Sequence, residues 1–95
     1  MLFEWDHQKN SLNCKKHRIS FELAASIFDD PLHLSVPDEK RHAEERWITL
    51  GRSATGELLL VVIHTYKETL EHEIIRIISA RKATKKEKKH YEEGI

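Results

Sequence analysis

The sequence predicts an α+β domain in which an antiparallel β-sheet has two N-terminal helices packed on one face and a C-terminal helix after it. Three observations predict this fold. Apolar segments over 46–53, 58–65 and 74–80 are joined by short polar connections, as consecutive antiparallel strands are. Two helical segments with capping residues precede these strands. A third capped segment closes the chain.

The first half of the chain predicts a strand and two helices. Residues 1–5 form a short apolar and aromatic run that is typical of a strand. Asp6 is placed to cap a helix that ends near residue 17. Ser20 is placed to cap a second helix over 21–28, whose apolar side chains recur at helical spacing. We expect both helices to bury one side against the sheet.

The second half predicts the strands and the last helix. A short strand over 33–37 is followed by a charged, exposed connection over 38–45. A hairpin turn over 54–57 joins the strands 46–53 and 58–65, and a polar loop over 66–73 precedes the last strand. Thr84 and Glu87 form a capping box for a helix that runs to Gly94. This helix contains little apolar surface besides Tyr91, which predicts loose docking or docking through a partner.

Composition places the chain among small, single-domain proteins. Its 95 residues, 34% charged and 39% apolar, are enough for one domain over 1–95 and are too apolar for a disordered chain. Cys14 is the only cysteine, so no intramolecular disulfide can form, and a reducing compartment is expected. The start lacks a signal-peptide pattern and the longest apolar run is far too short to span a membrane. These features predict a cytoplasmic protein.

Charge is unevenly distributed although the formal net charge is zero. Residues 81–95 contain six Lys or Arg and three Asp or Glu, a balance of +3, whereas residues 1–45 have a balance of −3. A basic end on a neutral protein fits local binding of a polyanion, or simply a solvated helix with extra lysines. The chain has no HExxH, CxxC or glycine-rich phosphate loop, and its seven histidines lack metal-ligand spacing. We therefore expect no metal and no cofactor.

Several residues could support chemistry on a phosphate. His64 ends the most apolar strand, where it is either a general acid or base or a histidine that caps a backbone group. Arg76, between isoleucines, either projects from the open face of the sheet or pairs with an acid such as Glu73. Arg46 and Arg52 could add to the same face. The junction 81–86 brings cations to a helix start, where phosphate binds readily, although a solvated lysine face is the alternative.

These residue types match metal-independent RNA cleavage by the 2′-hydroxyl. That reaction needs a base, cations that stabilise the crowded phosphate, and an acid for the leaving oxygen. The residues that could supply these catalytic functions are His64, Arg76, Arg81 and Tyr91. Further RNA contacts are predicted for Arg46, Arg52, Ser79, Lys82, Lys85 and Lys86.

Four segments resemble the BrnT-type toxins, in the order in which that family has them. They are FEWDHQKN, KKHRISFELAASIFDDP, ERWITLGRSATGELLLVV together with the HT that comes after Ile63, and IRIISARKATKKEKKHYEEG. The resemblance implies a RelE-like ribonuclease fold and RNA cleavage that inhibits translation and growth. It also implies a BrnA-type antitoxin that neutralises the toxin, a heterotetramer of the two, and DNA contact only indirectly, through the antitoxin. The motif positions in this chain are Arg46, Arg52, His64, Thr65, Arg76, Ser79, Arg81 and Tyr91.

The last helix is the predicted place for antitoxin contact. We expect the antitoxin to cover the basic surface and to meet Lys88, Lys89 and Tyr91. Two other interpretations remain at this stage. The chain could be a non-catalytic RNA- or protein-binding module on the same fold, or an inactive toxin that serves operon regulation.

Overall fold

The computed structural model describes residues 1–40 and 43–94, so the predicted connection over 38–45 includes two residues, 41 and 42, that lie outside the described residues. The elements in chain order are β1 (Leu2–Glu4), α1 (His7–His17), α2 (Phe21–Ala25), a turn of 3₁₀ helix (Ser26–Asp29), β2 (Leu34–Pro37), β3 (Trp47–Arg52), β4 (Leu59–Glu68), β5 (Glu73–Lys82) and α3 (Lys85–Glu93). The α+β class is therefore confirmed.

The sheet is mixed, so the prediction of a purely antiparallel sheet is wrong. Its five strands have the order β1-β5-β4-β3-β2. The pairs β2–β3, β3–β4 and β4–β5 are antiparallel, whereas β1 runs parallel to β5, with Phe3 opposite Ile75. The two helices between β1 and β2 allow the chain to cross from one edge of the sheet to the other. The parallel pair joins distant parts of the chain, and no hairpin signal in the sequence marks it.

The predicted helix caps are confirmed. The Asp6 carboxylate accepts hydrogen bonds from two backbone amides of α1, and the Ser20 hydroxyl accepts one from Leu23. Both halves of the capping box at Thr84 and Glu87 are present, and Gly94 ends α3 with a φ of 72°. These side chains satisfy amides that have no partner within the helix, which explains why local sequence located the helix starts well.

Two strands are longer than predicted. β4 continues through Glu68 and β5 begins at Glu73, so most of the predicted polar loop over 66–73 is a projecting hairpin. Only residues 69–72 form its turn, in which the Thr69 amide donates to the His72 carbonyl. The sequence did not indicate these strand residues because their side chains are polar on both faces of the hairpin. This part of the hairpin lies beyond the core, where neither face has to be apolar.

One face of the sheet is covered by the N-terminal helices, and we call it the covered face. Its core joins side chains of the helices to side chains of β4 and β5; the buried members are Ile19, Phe21, Ala24, Ile27, Leu60, Val62, Ile75, Ile77 and Ala80. Asn13 of α1 locks this packing, because its amide donates to the Ala80 carbonyl at 2.9 Å and accepts from the Ala80 amide at 3.1 Å. The Asn13 side chain thus makes the two backbone hydrogen bonds to Ala80 that a neighbouring strand would otherwise make at this edge of β5.

The opposite face, which we call the open face, is covered at one end by α3. Tyr91 of α3 is 8% exposed and packs with Leu50, Leu59 and Val61. The expectation of a loosely docked last helix is therefore wrong. One aromatic side chain suffices because Tyr91 fills a separate small core, and polar contacts described below hold the helix in addition.

A β-bulge decides which residues of β5 reach the open face. Ile63 is opposite Ser79, but the next residue of β4, His64, is opposite Ile77, so Ile78 is an extra residue on β5. The bulge reverses the alternation of side chains along the strand. Arg76 consequently lies on the same face as Ser79 and Arg81, although the spacing from 76 to 79 is odd.

Candidate functional site

Arg76 projects from the open face. It is exposed and lies directly opposite Thr65 of β4, whose side chain is on the same face. The structure therefore shows the first of the two arrangements predicted for this arginine, and the ion pairs seen among the described residues do not include it. Glu4 of β1 is the cross-strand neighbour of Arg76 on its other side, and Arg76 also interacts electrostatically with Asp6. Neither carboxylate is within ion-pair distance of the guanidinium, which therefore remains accessible to a phosphate.

Arg46 and Arg76 lie on opposite sides of Thr65, because Arg46 precedes β3 and Arg76 belongs to β5, the two strands that neighbour β4. Trp47, the next residue, points to the covered face, and the ladder continues past it because the Asp38 amide donates to the Arg46 carbonyl at 2.8 Å. Alternation along β3 then places the Arg46 side chain on the open face. Arg46, Thr65 and Arg76, which we call the arginine row, cross three neighbouring strands. With strands roughly 4.8 Å apart, the two arginine Cα atoms are about 10 Å apart.

Arg46 is only partly satisfied by protein contacts. Its guanidinium lies 3.7 Å from the Glu44 carboxylate, and its side chain is 27% exposed. Its Nε is buried and has no hydrogen-bond partner among the described residues. A buried donor without a partner carries a desolvation cost, and a ligand acceptor could reach this Nε only after the Arg46 side chain turned outward.

An apolar row lies next to the arginine row. It consists of Val36, Ile48 and Ile63, which are cross-strand neighbours, and it continues to Ser79 at the edge of β5. Between this row and α3 is a groove of about 240 Å³, which Glu87 and His90 of α3 also line. The open face thus has a cationic part and an apolar part.

Arg81 is engaged by α3. Its guanidinium donates to both carboxylate oxygens of Glu87, at 2.7 and 3.0 Å. This pair, together with the hydrogen bond from the Thr84 amide, lowers the pKa of Glu87 to about 2 although burial acts against it. The predicted phosphate contact of Arg81 would have to compete with this bidentate pair.

Tyr91 is held in the small core by its hydroxyl as well as its ring. The hydroxyl donates to the Asp30 carboxylate at 2.6 Å, and the Arg52 guanidinium lies over the ring at 5.4 Å from its centre. Burial and the bond to Asp30 raise the pKa of Tyr91. The catalytic and antitoxin-binding functions predicted for Tyr91 would both require these contacts to open.

His64 faces away from the arginine row. It is 3% exposed and lies on the covered face, where its Nδ1 donates to the Thr65 carbonyl at 3.0 Å. Its Nε2 accepts from the Thr49 hydroxyl at 2.6 Å, and Thr49 in turn bonds to Ser35 at 2.7 Å. Burial lowers the pKa of His64, which favours this neutral form. The arrangement matches the alternative interpretation of a histidine that caps a backbone group.

His64 also forms part of the wall of a second cleft. This cleft, of about 290 Å³, opens at the same end of the sheet but on the covered face, and aromatic rings of Phe28, Trp47 and Tyr66 line it. Phe28 packs edge-on against the His64 ring, with centres 4.9 Å apart. None of the predicted arginines lines the cleft.

The other predicted RNA contacts are spread around α3. Arg52 and Lys82 line a cleft of about 270 Å³ at the far end of the sheet from the arginine row. The exposed lysines of α3 are Lys85, Lys86, Lys88 and Lys89. Lys89 lies 3.9 Å from Glu93, an exposed pair of little energetic weight. The structure therefore brings Arg46, Arg76 and Ser79 onto one accessible surface and leaves His64 and Tyr91 buried elsewhere.

One candidate residue was missed from the sequence. Among the described histidines, His90 is the one that lines the groove of the open face, where it lies beside Glu87. The spacing of three residues between them on a capped helix predicts a shared side and could have revealed His90. No group of three or more potential metal-ligating side chains occurs in residues 1–40 and 43–94. No helix in these ranges has the length and apolar character needed to span a membrane.

Comparison with known proteins identifies the family. The family described as "Ribonuclease toxin, BrnT, of type II toxin-antitoxin system" matches residues 5–87. The chain belongs to the BrnT toxin family. No curated protein matches the chain.

Membership in the BrnT family has two consequences for the candidate site. It makes the chain a ribonuclease toxin and gives it a protein antitoxin as partner. The matched residues include the whole arginine row and Arg81, and they end before His90 and Tyr91. The cations of the open face therefore lie within the family match, whereas His90 and Tyr91 of α3 lie outside it.

Proposed function

We propose that this BrnT-family chain cleaves RNA on the open face of its sheet and that the arginine row binds the phosphate that reacts. The observation that supports this most strongly is the row itself, in which Arg46 and Arg76 lie on the strands on either side of Thr65. Arg76 has no carboxylate among the described ion pairs, and Arg46 has a buried donor without a partner. Arginine forks match phosphate oxygens in geometry and charge.

The reaction is an internal transesterification. The 2′-oxygen of the RNA attacks the adjacent phosphorus, so an O2′–P bond forms and the P–O5′ bond breaks. The 2′-hydroxyl proton passes to a base, and the leaving 5′-oxygen takes a proton from an acid. The products are a 2′,3′-cyclic phosphate and a 5′-hydroxyl, and no metal takes part. Arg76 and Arg46 stabilise the charge that develops on the phosphate oxygens.

Removal of the 2′-hydroxyl proton is assigned to His90, whose imidazole lines the groove of the open face, and a water molecule protonates the leaving 5′-oxygen. His64 acts as a positioning residue. Its Nδ1 holds the carbonyl of Thr65, and so the middle of the arginine row, in place. Arg81 joins the phosphate contacts when it exchanges Glu87 for RNA, and Tyr91 supports the reaction by fixing α3. The predicted contacts of Ser79, Arg52, Lys82, Lys85 and Lys86 then extend the RNA path along the sheet and α3.

The biological setting follows from the resemblance and the family together. We propose that the cleavage stops translation in the cytoplasm and that the fold is RelE-like. A BrnA-type antitoxin would neutralise the chain in a heterotetramer and contact operator DNA, which the toxin would reach only indirectly.

The test is incubation of the purified, antitoxin-free protein with RNA, with and without a chelator. We expect cleavage in both, with cyclic phosphate ends. Arg76→Gln should slow it by about 10²–10³-fold, because one preorganised charge contact to the transition state is lost. Arg18→Gln is the matched control, since Arg18 is an exposed arginine at the end of α1 on the other side of the molecule. Loss of activity with chelator, or equal rates for both variants, would contradict the proposal.

A non-catalytic RNA-binding module is the second candidate. It is favoured by the occupied ring nitrogens of His64 and by the bidentate pair that engages Arg81. RNA binding by the parent protein that depends on Arg76, without any cleavage, would support it.

A further inference from the structure

The open face combines two surfaces of different chemistry in adjacent rows. The arginine row suits phosphate, whereas the apolar row offers only aliphatic side chains. Val36, at the edge of this row, is 54% exposed. RNA binds proteins through phosphate contacts and through bases that stack on aromatic rings, so three aliphatic side chains add little to an RNA site. They are the kind of surface that anchors a protein.

The groove beside the apolar row has the form of a docking site. It is lined by Leu34, Val36, Ile48, Leu50 and Val61, and it is bounded by α3. β2, which supplies Leu34 and Val36, is an edge strand of the sheet, so its outer backbone groups are not paired with another strand. An incoming segment can therefore insert apolar side chains and also approach a free strand edge.

We infer that the apolar row is the anchor for the antitoxin, and that the antitoxin inhibits the chain by lying across the adjacent arginine row. This inference rests on the proposed function, because it takes the arginine row to be the RNA site. The family provides the occupant, since a type II toxin is paired with a protein antitoxin.

The charge around the groove indicates the chemistry of the antitoxin segment. The groove is flanked on one side by the arginine row and on the other by α3, whose Glu87 and His90 line it. The segment is amphipathic, with aliphatic side chains that fill the groove and carboxylates that meet the arginine row. Exposed ion pairs contribute little affinity, so the aliphatic contacts provide most of it and the carboxylates provide orientation. Tyr91, buried against its own sheet, is not a contact in this arrangement.

The experiment separates the two rows by substitution. Val36→Asp places a carboxylate in the apolar row and should weaken binding of the antitoxin encoded with this chain by about tenfold or more. Because Val36 lines the same groove as His90, RNA cleavage without antitoxin is measured in parallel, and the effect on the antitoxin is taken from direct binding of the two purified proteins. Leu70→Asp is the matched control: Leu70 is fully exposed at the tip of the β4–β5 hairpin, away from the open face, and both measurements should be unchanged.

Arg76→Gln completes the comparison. It should reduce RNA cleavage strongly and leave antitoxin binding within a few-fold of the parent. Val36→Thr, which keeps the β-branched shape, should weaken antitoxin binding in the same direction as Val36→Asp and serves if the aspartate variant fails to fold. Parent-like antitoxin binding by folded Val36→Asp, or equal weakening by Leu70→Asp, would overturn the inference. If Arg76→Gln cleaves RNA as the parent does, the proposed function fails, whatever the binding result.

Discussion

The two faces of the sheet differ in how their polar groups are satisfied. On the covered face, Ser35, Thr49, His64 and the Thr65 carbonyl form a continuous hydrogen-bonded chain. On the open face, Arg46 has a buried donor without a partner among the described residues, and an apolar row stays partly exposed. Groups whose hydrogen bonds are all satisfied stabilise the fold, whereas the exposed Arg76 and Val36 side chains can meet a ligand. Exposure, more than residue type, therefore separates the candidate site from the core.

The largest effect that tests this comparison concerns the two histidines. His90→Gln should slow RNA cleavage by about 10²-fold or more, because it removes the proposed proton-transfer group. His64→Gln should keep most of the rate per folded molecule, since His64 is buried on the other face. The measurement is the cleavage rate of the parent and both variants at one pH, with the folded fraction checked by circular dichroism. A large loss of rate per folded molecule in His64→Gln alone would restore His64 as the catalytic residue.

A second effect should appear in stability without a change in chemistry. Asn13→Ala leaves the amide and carbonyl of Ala80 and the carbonyl of Ile19 without their partners in a buried place. We expect it to lower the free energy of unfolding by about 2–4 kcal/mol. Urea denaturation measures this, with Gln8→Ala on the exposed side of the same helix as the control. An equal, small loss in both variants would show that the covered face does not depend on this side chain.

The sequence predicted well those features that are decided by neighbouring residues. The caps at Asp6, Ser20 and Thr84 are confirmed because each side chain bonds to amides within three residues of it. The alternation along β4, which places His64 with Leu60 and Val62, is also seen. The sequence could not predict the burial of His64. Phe28 and Thr49, which contact its ring, come from distant parts of the chain.

The features that shape the open face required nonlocal information. The extra residue at Ile78 brings Arg76 and Arg81 to one face, and nothing in the isoleucine-rich segment marks it as a bulge. The parallel pairing of β1 with β5 joins segments some seventy residues apart. The docking of α3 depends on Asp30, which accepts from the Tyr91 hydroxyl across the molecule. Short-range patterns contain none of these contacts.

The smallest effect concerns the ion pair that joins β5 to α3 on the open face. Glu87→Gln removes the charge that pairs with Arg81 and should lower stability by about 1 kcal/mol at neutral pH, because the pair is partly exposed. The pKa of Glu87 is lowered from 4.5 to about 2 in the fold, so its contribution is present above pH 4.5 and is lost as the pH falls towards 2. Thermal unfolding of parent and variant should therefore converge in acid. Glu93→Gln, in an exposed pair with Lys89, is the control. A constant difference down to pH 2 would contradict the assignment.

The most direct measurement of the central claim is to locate RNA on one face or the other. The chain offers isoleucine methyl groups on both: Ile48 and Ile63 on the open face, and Ile75 and Ile77 on the covered face. We would titrate the methyl-labelled protein with an RNA that cannot react because its 2′-hydroxyls are methylated, and follow the methyl signals by NMR. We expect the signals of Ile48 and Ile63 to move while those of Ile75 and Ile77 stay in place. Movement of Ile75, which lines the aromatic cleft on the covered face, with Ile63 unchanged, would contradict it.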